Sequence, residues 1–362
     1  MTVGRVTLVT PSFENNSTGR TYCLWSLAKQ LGLETRVVGV KGSRIWGPLA
    51  GGAFADDCEL LAGMSTAGRR RRLDEAGRWC DVLIAVKPLP TSFGVAAEVA
   101  ARTARPLVVD VDDPDFEYRL RWQPARRRLR DRVTGRRAAL LHLRRALGSY
   151  PVMVSNPVLQ QTYGGVVVPH ARPARPAPAD PSGGQLTIRF VGSIQDHMGL
   201  DVLREAIAVV HDEGFRLEVS GAAPRDARPW EHWFGQTTFE QGQELVRGAD
   251  LVVLPSLPRS WALAQLPAKL VDAMMCGRPV IASDLMPIRW ALGGCGALVP
   301  PGDVGALVSA LRRFHDVDRR RELGLRAHQR AVREFSLTAV APALERVLEA
   351  SVHRPGPSGR TL

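Results

Sequence analysis

Short apolar runs alternate with helix-like segments along this chain, and the alternation occurs in two series. The strand-like runs of the first series are Val6–Val9, Thr35–Val40, Asp81–Val86, Pro106–Val111, Pro151–Val154 and Val166–Val168. Those of the second series are Leu186–Val191, Phe215–Val219, Asp250–Leu254, Val280–Ala282 and Ala297–Val299. Short apolar strands separated by helices predict parallel sheets that are covered by helices on both faces. The sequence therefore predicts an α/β protein with two doubly wound domains.

Helical periodicity fills the intervals between these runs. The predicted helices are Gly19–Leu31, Ser92–Arg102, Asp115–Leu147, Leu200–Val210, Phe239–Gly248, Asp303–His315, Asp318–Glu334 and Leu337–Ala350. Ligands of doubly wound sheets bind outside the carboxyl ends of the strands, so the loops that follow the strands are the first place to look for a site.

A segment rich in proline separates the two series. Residues 171–184, ARPARPAPADPSGG, are predicted to be an extended, semi-rigid linker. We expect one domain over residues 1–170 and a second over 185–335. A helix over 336–352 is expected to cross back to the first domain, and the tail 353–362 is expected to be loose.

Basic residues outnumber acidic ones in this chain. It has 362 residues with 48 Lys and Arg against 36 Asp and Glu, a net charge of +12. Only Lys29, Lys41, Lys87 and Lys269 are lysines. One explanation is GC-rich coding; the other is an acidic partner such as a nucleotide diphosphate or an anionic membrane surface. Nucleic acid is not expected, because the chain shows no zinc pattern and no recognisable helix-turn-helix.

Apolar runs and cysteines indicate the compartment. No run of about 18 apolar residues occurs, so no transmembrane helix is expected. The N-terminal segment has too short an apolar run for a signal peptide. The five cysteines are scattered and have no CxxC spacing, which indicates reduced thiols without a disulfide framework or a zinc site. We expect a cytoplasmic protein.

The segment Pro267–Asp284, PAKLVDAMMCGRPVIASD, has the pattern of a helix, a sharp stop and a strand. Pro267 suits the first helical position, where its missing N–H costs nothing. Gly277 can adopt the left-handed conformation that ends a helix, and Pro279 prevents the helix from resuming. The strand Val280–Ala282 follows.

The start of this helix is a candidate anion site. The unpaired N–H groups of Ala268 and Lys269 would lie at the positive end of the helix dipole. Asp272 follows Lys269 by about one turn, on nearly the same face. A helix start that holds a phosphate, with a carboxylate one turn further that accepts hydrogen bonds from a ribose, predicts a site for a nucleotide diphosphate.

This segment resembles the donor-site signature of GT-B glycosyltransferases, in particular glycosyltransferase family 4. That signature is a helix with an acidic residue, then Met-Ala, a small residue, Gly, a spacer and Pro-Val-Ile. Further segments match family elements in the same order: STGR (17–20), VVVPHARP (166–173), IRFVGSIQDHMGLDVLREAI (188–207), LEVSGAAP (217–224) and ADLVVLPS (249–256). The resemblance implies the GT-B fold, two Rossmann-like domains that face a central cleft.

The resemblance also implies an activity, the transfer of a sugar from a nucleotide-diphosphate sugar to an acceptor with retention of anomeric configuration. UDP, GDP and dTDP all stay open as the nucleotide. The acceptor would be a small natural product or a glycan or lipid of the cell envelope. The nucleotide sugar is a co-substrate, and we expect no resident cofactor and no metal, because a helix dipole and cations neutralise the leaving diphosphate.

The donor would bind to the second domain. The candidate donor-binding residues are Gly192, Ser193, Arg259, Gln265, Leu266, Ala268, Lys269 and Asp272. The family has an Arg just after the first glycine turn and a Lys a few residues later, where this chain has Ser193 and Met198. The missing charge must come from elsewhere, and Arg259 and Lys269 are the nearest candidates. The alternative for Arg259 is a solvated loop residue.

A second departure concerns the pair of glutamates that is typical of the family. The first falls on Ala264, and the second is matched by Asp272, which is shorter by one methylene. Sugar recognition is therefore expected to be altered, and the stereochemistry is less firmly implied. Two rival functions stay open: a non-catalytic binder of nucleotide sugars, and a sugar epimerase of the GT-B fold.

The acceptor would bind to the first domain. The candidate acceptor-binding residues are Ser17, Thr18, Gly19, Arg20 and Asp110, and the candidate catalytic residues are Lys87 and Asp113. Lys87 follows an apolar strand and is predicted to be a cleft cation, with an ordinary strand-end residue as the alternative. Asp110, Asp112 and Asp113 end the next strand, where carboxylates would bind acceptor hydroxyls or amines; a DxD-like run can also bind a divalent metal. The alternative is that Asp113 or Asp115 caps the following helix.

The stretch Arg119–Arg145 has eleven arginines and a single acidic residue, Asp131. Trp122, Leu129 and Val133 are among the apolar residues within it. This pattern fits a basic amphipathic surface that rests on anionic lipid at the inner membrane face. The alternative is a solvated helix packed on its sheet.

Overall fold

Two compact units form the molecule. The computed structural model describes residues 3–176, 185–259 and 261–353. One unit comprises the residues up to His170 together with those from Val340 onward, and the other is Ala171–Ala339. Part of the predicted linker, 177–184, and nearly all of the predicted tail, 354–362, lie outside the described residues.

The first unit has a seven-stranded sheet. Its strands are β1 Arg5–Thr10, β2 Glu34–Gly39, β3 Cys58–Leu60, β4 Val82–Val86, β5 Leu107–Val111, β6 Val152–Val154 and β7 Val166–Val167. Their order in the sheet is β3-β2-β1-β4-β5-β6-β7, and every pairing is parallel. The helices that precede residue 170 are α1 Ser17–Gln30, α2 Ala53–Asp56, α3 Thr66–Trp79, α4 Val95–Thr103, α5 Asp115–Glu117, α6 Ala125–Val133, α7 Arg136–Ala146 and α8 Pro157–Tyr163. Strands β4 and β5 are buried along their whole length, which explains their continuous apolar sequences.

The second unit repeats the architecture with six strands. They are β8 Leu186–Phe190, β9 Phe215–Val219, β10 Glu231–Trp233, β11 Leu251–Leu254, β12 Val280–Ser283 and β13 Ala297–Val299. Their order is β10-β9-β8-β11-β12-β13, again with parallel pairing throughout. The helices are α9 Leu200–Val210, α10 Phe239–Arg247, α11 Ala268–Met275, α12 Met286–Leu292, α13 Val304–Arg313, α14 Val317–Phe335 and α15 Leu337–Val352.

Helices cover both faces of the second sheet. One buried cluster joins the sheet to α11, α12 and α14, with Leu270, Met274 and Ala327 among its members. The other joins it to α9 and α13 through residues such as Leu203 and Leu311. For the second unit, the prediction of a parallel sheet covered on both faces is confirmed.

The strand order places a crevice in each unit. Strand order reverses between β1 and β4 in the first sheet and between β8 and β11 in the second. Loops that leave two neighbouring strands at such a point run in opposite directions, so the carboxyl ends of those strands are left open for a ligand. The carboxyl ends of β8 and β11 lead to the predicted donor residues, and those of β1 and β4 lead to predicted acceptor-side residues.

One predicted helix is wrong in its length. The segment Asp115–Leu147 is interrupted at Pro124, which precedes α6, and at Gly135, which precedes α7. Proline cannot continue a helix because it lacks an N–H, and Gly135 has a left-handed φ of 71°. The arginine-rich stretch is therefore two short helices rather than a single long one.

Helix α15 begins at the end of the second unit, and from Val340 onward it belongs to the first. Val340, Leu344, Val347 and Leu348 are all buried. Within the residues that the structure describes, we find no helix whose length and apolar character would allow it to cross a bilayer.

Candidate functional site

Helix α11 opens the candidate donor site. Pro267 occupies the position before the helix and not its first position as predicted, with an extended ψ of 122°. Ala268 and Lys269 are the first two helical residues, so their N–H groups have no partner within the helix. Gly277 has a φ of 64°, and the N–H of Arg278 donates to the carbonyl of Ala273, which closes the helix as predicted.

A glycine turn after β8 faces this helix. Gly192 has a φ of 104°, and its N–H donates to Oγ of Ser220 at 2.7 Å. A Cβ at residue 192 would lie 3.3 Å from Cε of Lys269. Absence of a side chain at this turn therefore lets the lysine approach the backbone closely.

The amino group of Lys269 lies in an apolar environment. Its Nζ contacts the carbonyl oxygen of Ser193 at 3.2 Å and Sδ of Met198 at 3.4 Å, and it lies 3.9 Å from the centroid of the Phe190 ring. Burial lowers the pKa of Lys269 to about 7, against a smaller opposing effect of Asp272. Among the described residues, no carboxylate lies within 4.0 Å of this amino group.

Asp272 is buried and already engaged. Its Oδ1 accepts from Nε of Arg172 at 2.6 Å and from Nε2 of Gln243 at 2.8 Å, while Oδ2 lies 3.4 Å from Nη2 of Arg172. A carboxylate offers about four lone-pair positions, so Oδ2 retains capacity for a further donor. Sequence reasoning missed Arg172 and Gln243 as partners, because they lie 100 and 29 residues away along the chain.

A second glycine fixes the loops around the site. Gly199 has a φ of 70°, and a Cβ there would lie 1.9 Å from the carbonyl oxygen of Pro255. Next to it, the N–H of Leu257 donates to the carbonyl of His197 at 2.8 Å. The loops after β8 and β11 are thus held together at the point where strand order reverses.

Three other donor candidates differ in exposure. Arg259 is exposed, and Leu266 is buried in the core. Gln265 is half-buried, and its Oε1 lies 3.3 Å from Nε2 of His197. Arg259 is therefore free to reorient, whereas Gln265 is tied to the loop after β8.

In the first unit, the predicted STGR turn is the start of α1 after β1. The hydroxyl of Ser17 contacts Oδ1 of Asn15 at 2.5 Å, and that of Thr18 donates to the carbonyl of Phe13 at 3.0 Å. The N–H of Gly19 donates to the carbonyl of Asn16.

Arg20 is fully buried and pairs with Asp110. Its Nη2 lies 2.7 Å from Oδ1 of Asp110 and 2.8 Å from the carbonyl oxygen of Val168. Although burial opposes it, the carboxylate of Asp110 raises the pKa of Arg20. Arg20 and Asp110 neutralise each other, and the acceptor-binding role suggested for them stays a prediction.

Lys87 lies at the centre of a buried acidic cluster at the ends of β4 and β5. Its Nζ lies 2.7 Å from Asp112, 2.5 Å from Asp113 and 3.6 Å from Asp115. Burial lowers the pKa of Lys87, but the three carboxylates outweigh it and raise that pKa well above its ordinary value. Burial raises the pKa of Asp112 to about 7, although Lys87 opposes the rise. Lys87 is therefore a charged lysine at neutral pH.

The structure contradicts the alternative in which Asp113 or Asp115 caps the helix after β5. Neither Asp113 nor Asp115 caps α5, because Pro114 precedes that helix and no side chain caps it. Asp112 and Asp115 instead face Lys87, and Asp115 was predicted only as a possible helix cap and not as a site residue. Oxygens of Asp112, Asp113 and Asp115 lie within 4.8 Å of one another, so they could hold a cation only where Lys87 gives way.

Comparison with known proteins gives a family match that lies within the second unit. Residues 185–316 match the family model of group 1 glycosyl transferases. A phosphatidyl-myo-inositol mannosyltransferase of Mycobacterium leprae is 31% identical over 177 residues, which is 45% of this chain and 46% of that protein. A D-inositol 3-phosphate glycosyltransferase of Rhodococcus erythropolis is 32% identical over 36% of this chain and 31% of its own length. The similarity thus spans less than half the length of these relatives.

A solved structure extends the similarity to the whole chain. Alr3699/HepE from Anabaena, crystallised in complex with UDP-glucose, has a TM-score of 0.72 at 17% identity and covers 96% of this chain and 99% of its own. Both parallel sheets are included in that coverage. The resemblance read from the sequence is confirmed: the chain has the GT-B fold, and its residues 185–316 match the family model of the group 1 glycosyl transferases.

Proposed function

We propose that this protein is a glycosyltransferase that takes a sugar from a nucleotide-diphosphate donor bound to the second unit. The diphosphate lies at the start of α11, against the N–H groups of Ala268 and Lys269 and the Gly192 turn. The ribose donates to the free position on Oδ2 of Asp272. Leaving-group stabilisation by this helix start and by Lys269 supplies the main catalytic effect.

One observation carries this proposal. The glycine turn after β8 and the amino group on α11 meet at the strand-order reversal, with a Gly192 Cβ position 3.7 Å from Nζ of Lys269. They meet inside the segment that matches the group 1 glycosyl transferase family. A cation beside free helix N–H groups suits a doubly charged leaving group, and a narrow turn leaves room for it.

We propose that the acceptor binds to the first unit, near Ser17–Arg20 and the cluster around Lys87. Asp113 and Lys87 are the proposed catalytic pair, since they form the charged group nearest the end of β4. By the same resemblance we propose retention of anomeric configuration, with no nucleophile assigned. Small molecules and cell-envelope glycans or lipids are the acceptor classes.

A thermal-unfolding panel with UDP, GDP and dTDP tests the donor site. A ligand at 100 times its Kd stabilises a protein by about 2.7 kcal/mol, which corresponds to a shift on the order of 5 °C for a domain of this size. At least one nucleotide should give such a shift. The absence of any shift would reject both the transferase and a nucleotide-sugar binder. Binding without turnover across a panel of acceptors would favour the binder.

The ribose contact is tested by Asp272→Asn, which keeps the size of the side chain and removes its charge. We expect the Kd for the bound nucleotide to rise by about tenfold or more, because a hydrogen bond to a charged group is worth about 1.5–3 kcal/mol. Asp250→Asn is the matched control, since Asp250 is also buried and accepts a backbone hydrogen bond from Thr187. Unchanged affinity in Asp272→Asn would show that the ribose lies elsewhere.

We also propose that α6 and α7 contact an anionic membrane surface. Leu129 and Val133 of α6 are 62% and 80% exposed, and Trp122 just before it is 41% exposed. They stand among arginines, and apolar side chains within a basic surface suit the interface of an anionic bilayer.

Vesicle sedimentation tests the membrane contact. Wild-type protein should sediment with phosphatidylglycerol vesicles. In the presence of phosphatidylcholine vesicles it should stay in the supernatant. The double variant Leu129→Gln/Val133→Gln should lose most of that binding, whereas Leu325→Gln, at a 48% exposed position of α14, should keep it. Equal binding by the double variant and the wild type would contradict a role for this surface.

A further inference from the structure

Lys269 has an unusual environment for a lysine. The chain uses arginine for 44 of its 48 basic residues, and arginine keeps its charge in almost any surroundings. Lys269 has one carbonyl, one thioether and one ring face around its amino group. An ammonium has three N–H donors, and a thioether is only a weak acceptor, so this shell solvates the charged form poorly.

Few charged groups face this amino group. Asp272, on the same helix, is the nearest acid, and its charge is opposed by Arg172 at 2.6 Å. His197, on the turn that carries Met198, has its Nε2 3.3 Å from Gln265. The end of β8 contributes the uncharged Phe190, and the turn after it contributes Gly192 and Ser193. No described residue therefore supplies Lys269 with the close anion that holds the charge on Lys87.

The site still admits a ligand. Lys269 is only partly buried, and Gly192 is exposed, so solvent reaches the turn that its amino group faces. A diphosphate seated there brings two or more negative charges to within hydrogen-bonding distance of Nζ. Such a neighbour favours the ammonium, as the carboxylates around Lys87 do.

We propose that Lys269 is held as a largely neutral amine in the free protein at slightly alkaline pH and that donor binding charges it. The nitrogen lone pair takes a proton from solvent, and the resulting ammonium donates a hydrogen bond to a diphosphate oxygen. No other bond is made or broken. This inference rests on the proposed function, since it requires a nucleotide diphosphate at the start of α11.

The protonation of Lys269 sets how the affinity for the nucleotide diphosphate depends on pH. Burial lowers the pKa of Lys269 to about 7 in the free protein, and the diphosphate raises it again. Affinity is therefore full below pH 7 and falls as the pH rises above 7. Between pH 7.0 and 8.5 the Kd should increase by about 15-fold if the bound lysine stays charged throughout.

Isothermal titration at pH 8.0 tests the proposal. The probe is whichever of UDP, GDP and dTDP stabilises the protein most, and the titration is repeated in buffers of low and high ionisation enthalpy. The dependence of the observed heat on the buffer gives the number of protons taken up. We expect about 0.9 proton at pH 8.0 and about 0.1 at pH 6.0.

Lys269→Arg is the decisive variant. Arginine is charged before binding, so this variant should bind without proton uptake and with an affinity that is flat from pH 7.0 to 8.5. Uptake retained in Lys269→Arg would mean that the proton goes to the ligand or to another residue, and would overturn the proposal. Lys41→Arg, at an exposed lysine of the first unit, is the control and should match the wild type.

Two other outcomes separate this inference from the proposed function. Binding by the wild type without proton uptake would overturn the inference and leave the donor site standing. Absence of binding by all three nucleotides would overturn both. Lys269→Met, whose side chain is neutral at every pH, should bind the nucleotide at least tenfold more weakly than the wild type at pH 6.5. The affinity of this variant should be the same at pH 8.5 as at pH 6.5. This variant tests the same point if the arginine variant fails to fold.

Discussion

At the scale of single residues, the two site lysines show how surroundings set a charge. Three carboxylates around Lys87 raise its pKa well above the ordinary value despite complete burial. Lys269 has no such neighbours, and burial lowers its pKa to about 7. The same side chain is thus a permanent cation at the end of β4 and a titrating group at the start of α11.

Lys87→Met tests the acidic cluster. The substitution leaves Asp112, Asp113 and Asp115 together in a buried place without a cation, and breaking such an arrangement costs about 3–5 kcal/mol. Urea denaturation at pH 7.5 measures the loss. Lys29→Met is the control, because Lys29 pairs with Asp57 at a surface position and should cost less than about 1 kcal/mol. Equal losses in the two variants would show that the cluster does not depend on Lys87.

The sequence indicated which residues follow the strands but not what they contact. Lys87, Asp113, Gly192 and Lys269 were all identified from their place at a strand end or a helix start. The pairing of Arg172 with Asp272 bridges 100 residues, and local patterns carry no signal for such a contact. The functions assigned to all these residues stay predictions.

At the scale of elements, the proposed donor site depends on a close approach between two loops. Gly199 has a positive φ, and any side chain at this residue would collide with the carbonyl of Pro255. The turn between β8 and α9 is therefore tied to the loop after β11, and the site inherits the rigidity of the sheet.

Gly199→Ala should disturb this contact. A positive φ alone costs a residue with a side chain about 1–2 kcal/mol, and the collision with Pro255 adds a further ~1–3 kcal/mol. Gly214→Ala is a matched control, because Gly214 has a φ of 91° but open space around its Cβ position. Thermal unfolding should show a larger loss for Gly199→Ala, together with weaker nucleotide binding. Similar losses would indicate that the loops can separate without cost.

The pattern of apolar residues predicted the buried helices and strands well. It predicted the short edge strands and the arginine-rich helix poorly. The predicted bounds of α9, β9 and β13 match the structure. Strands β3 and β10 have only three residues each, CEL and EHW, and lie at sheet edges, so no apolar run marks them. Helix α3 carries four consecutive arginines and buries little apolar surface, which hid its periodicity.

At the scale of the whole molecule, the first unit is assembled from two separate stretches of chain. Residues from Val340 onward belong with the residues up to His170, although the whole second unit lies between them in sequence. The apolar side chains of this returning segment are buried, with Leu344 and Leu348 at 0% and 1% exposure.

Truncation after residue 339 should therefore weaken the first unit. Each buried aliphatic side chain that is lost removes about 1.5–3 kcal/mol of burial energy. Hydrogen exchange should rise in β1, β4 and β5 by at least tenfold and change much less in β8 and β11. A chain that ends at His353 is the control and should exchange like the full chain. Faster exchange confined to the second sheet would contradict the division into units.

The interrupted first unit also sets an order for biosynthesis. On the ribosome, residues 1–170 emerge early, but the segment that completes their core is translated only after all of the second unit. Ala171–Ala339 is contiguous and can fold as it leaves the exit tunnel. The first unit keeps part of its apolar core exposed until the residues from Val340 onward have been translated. A nascent chain stalled before codon 340 would thus expose that surface to chaperones, although its second unit would already be complete.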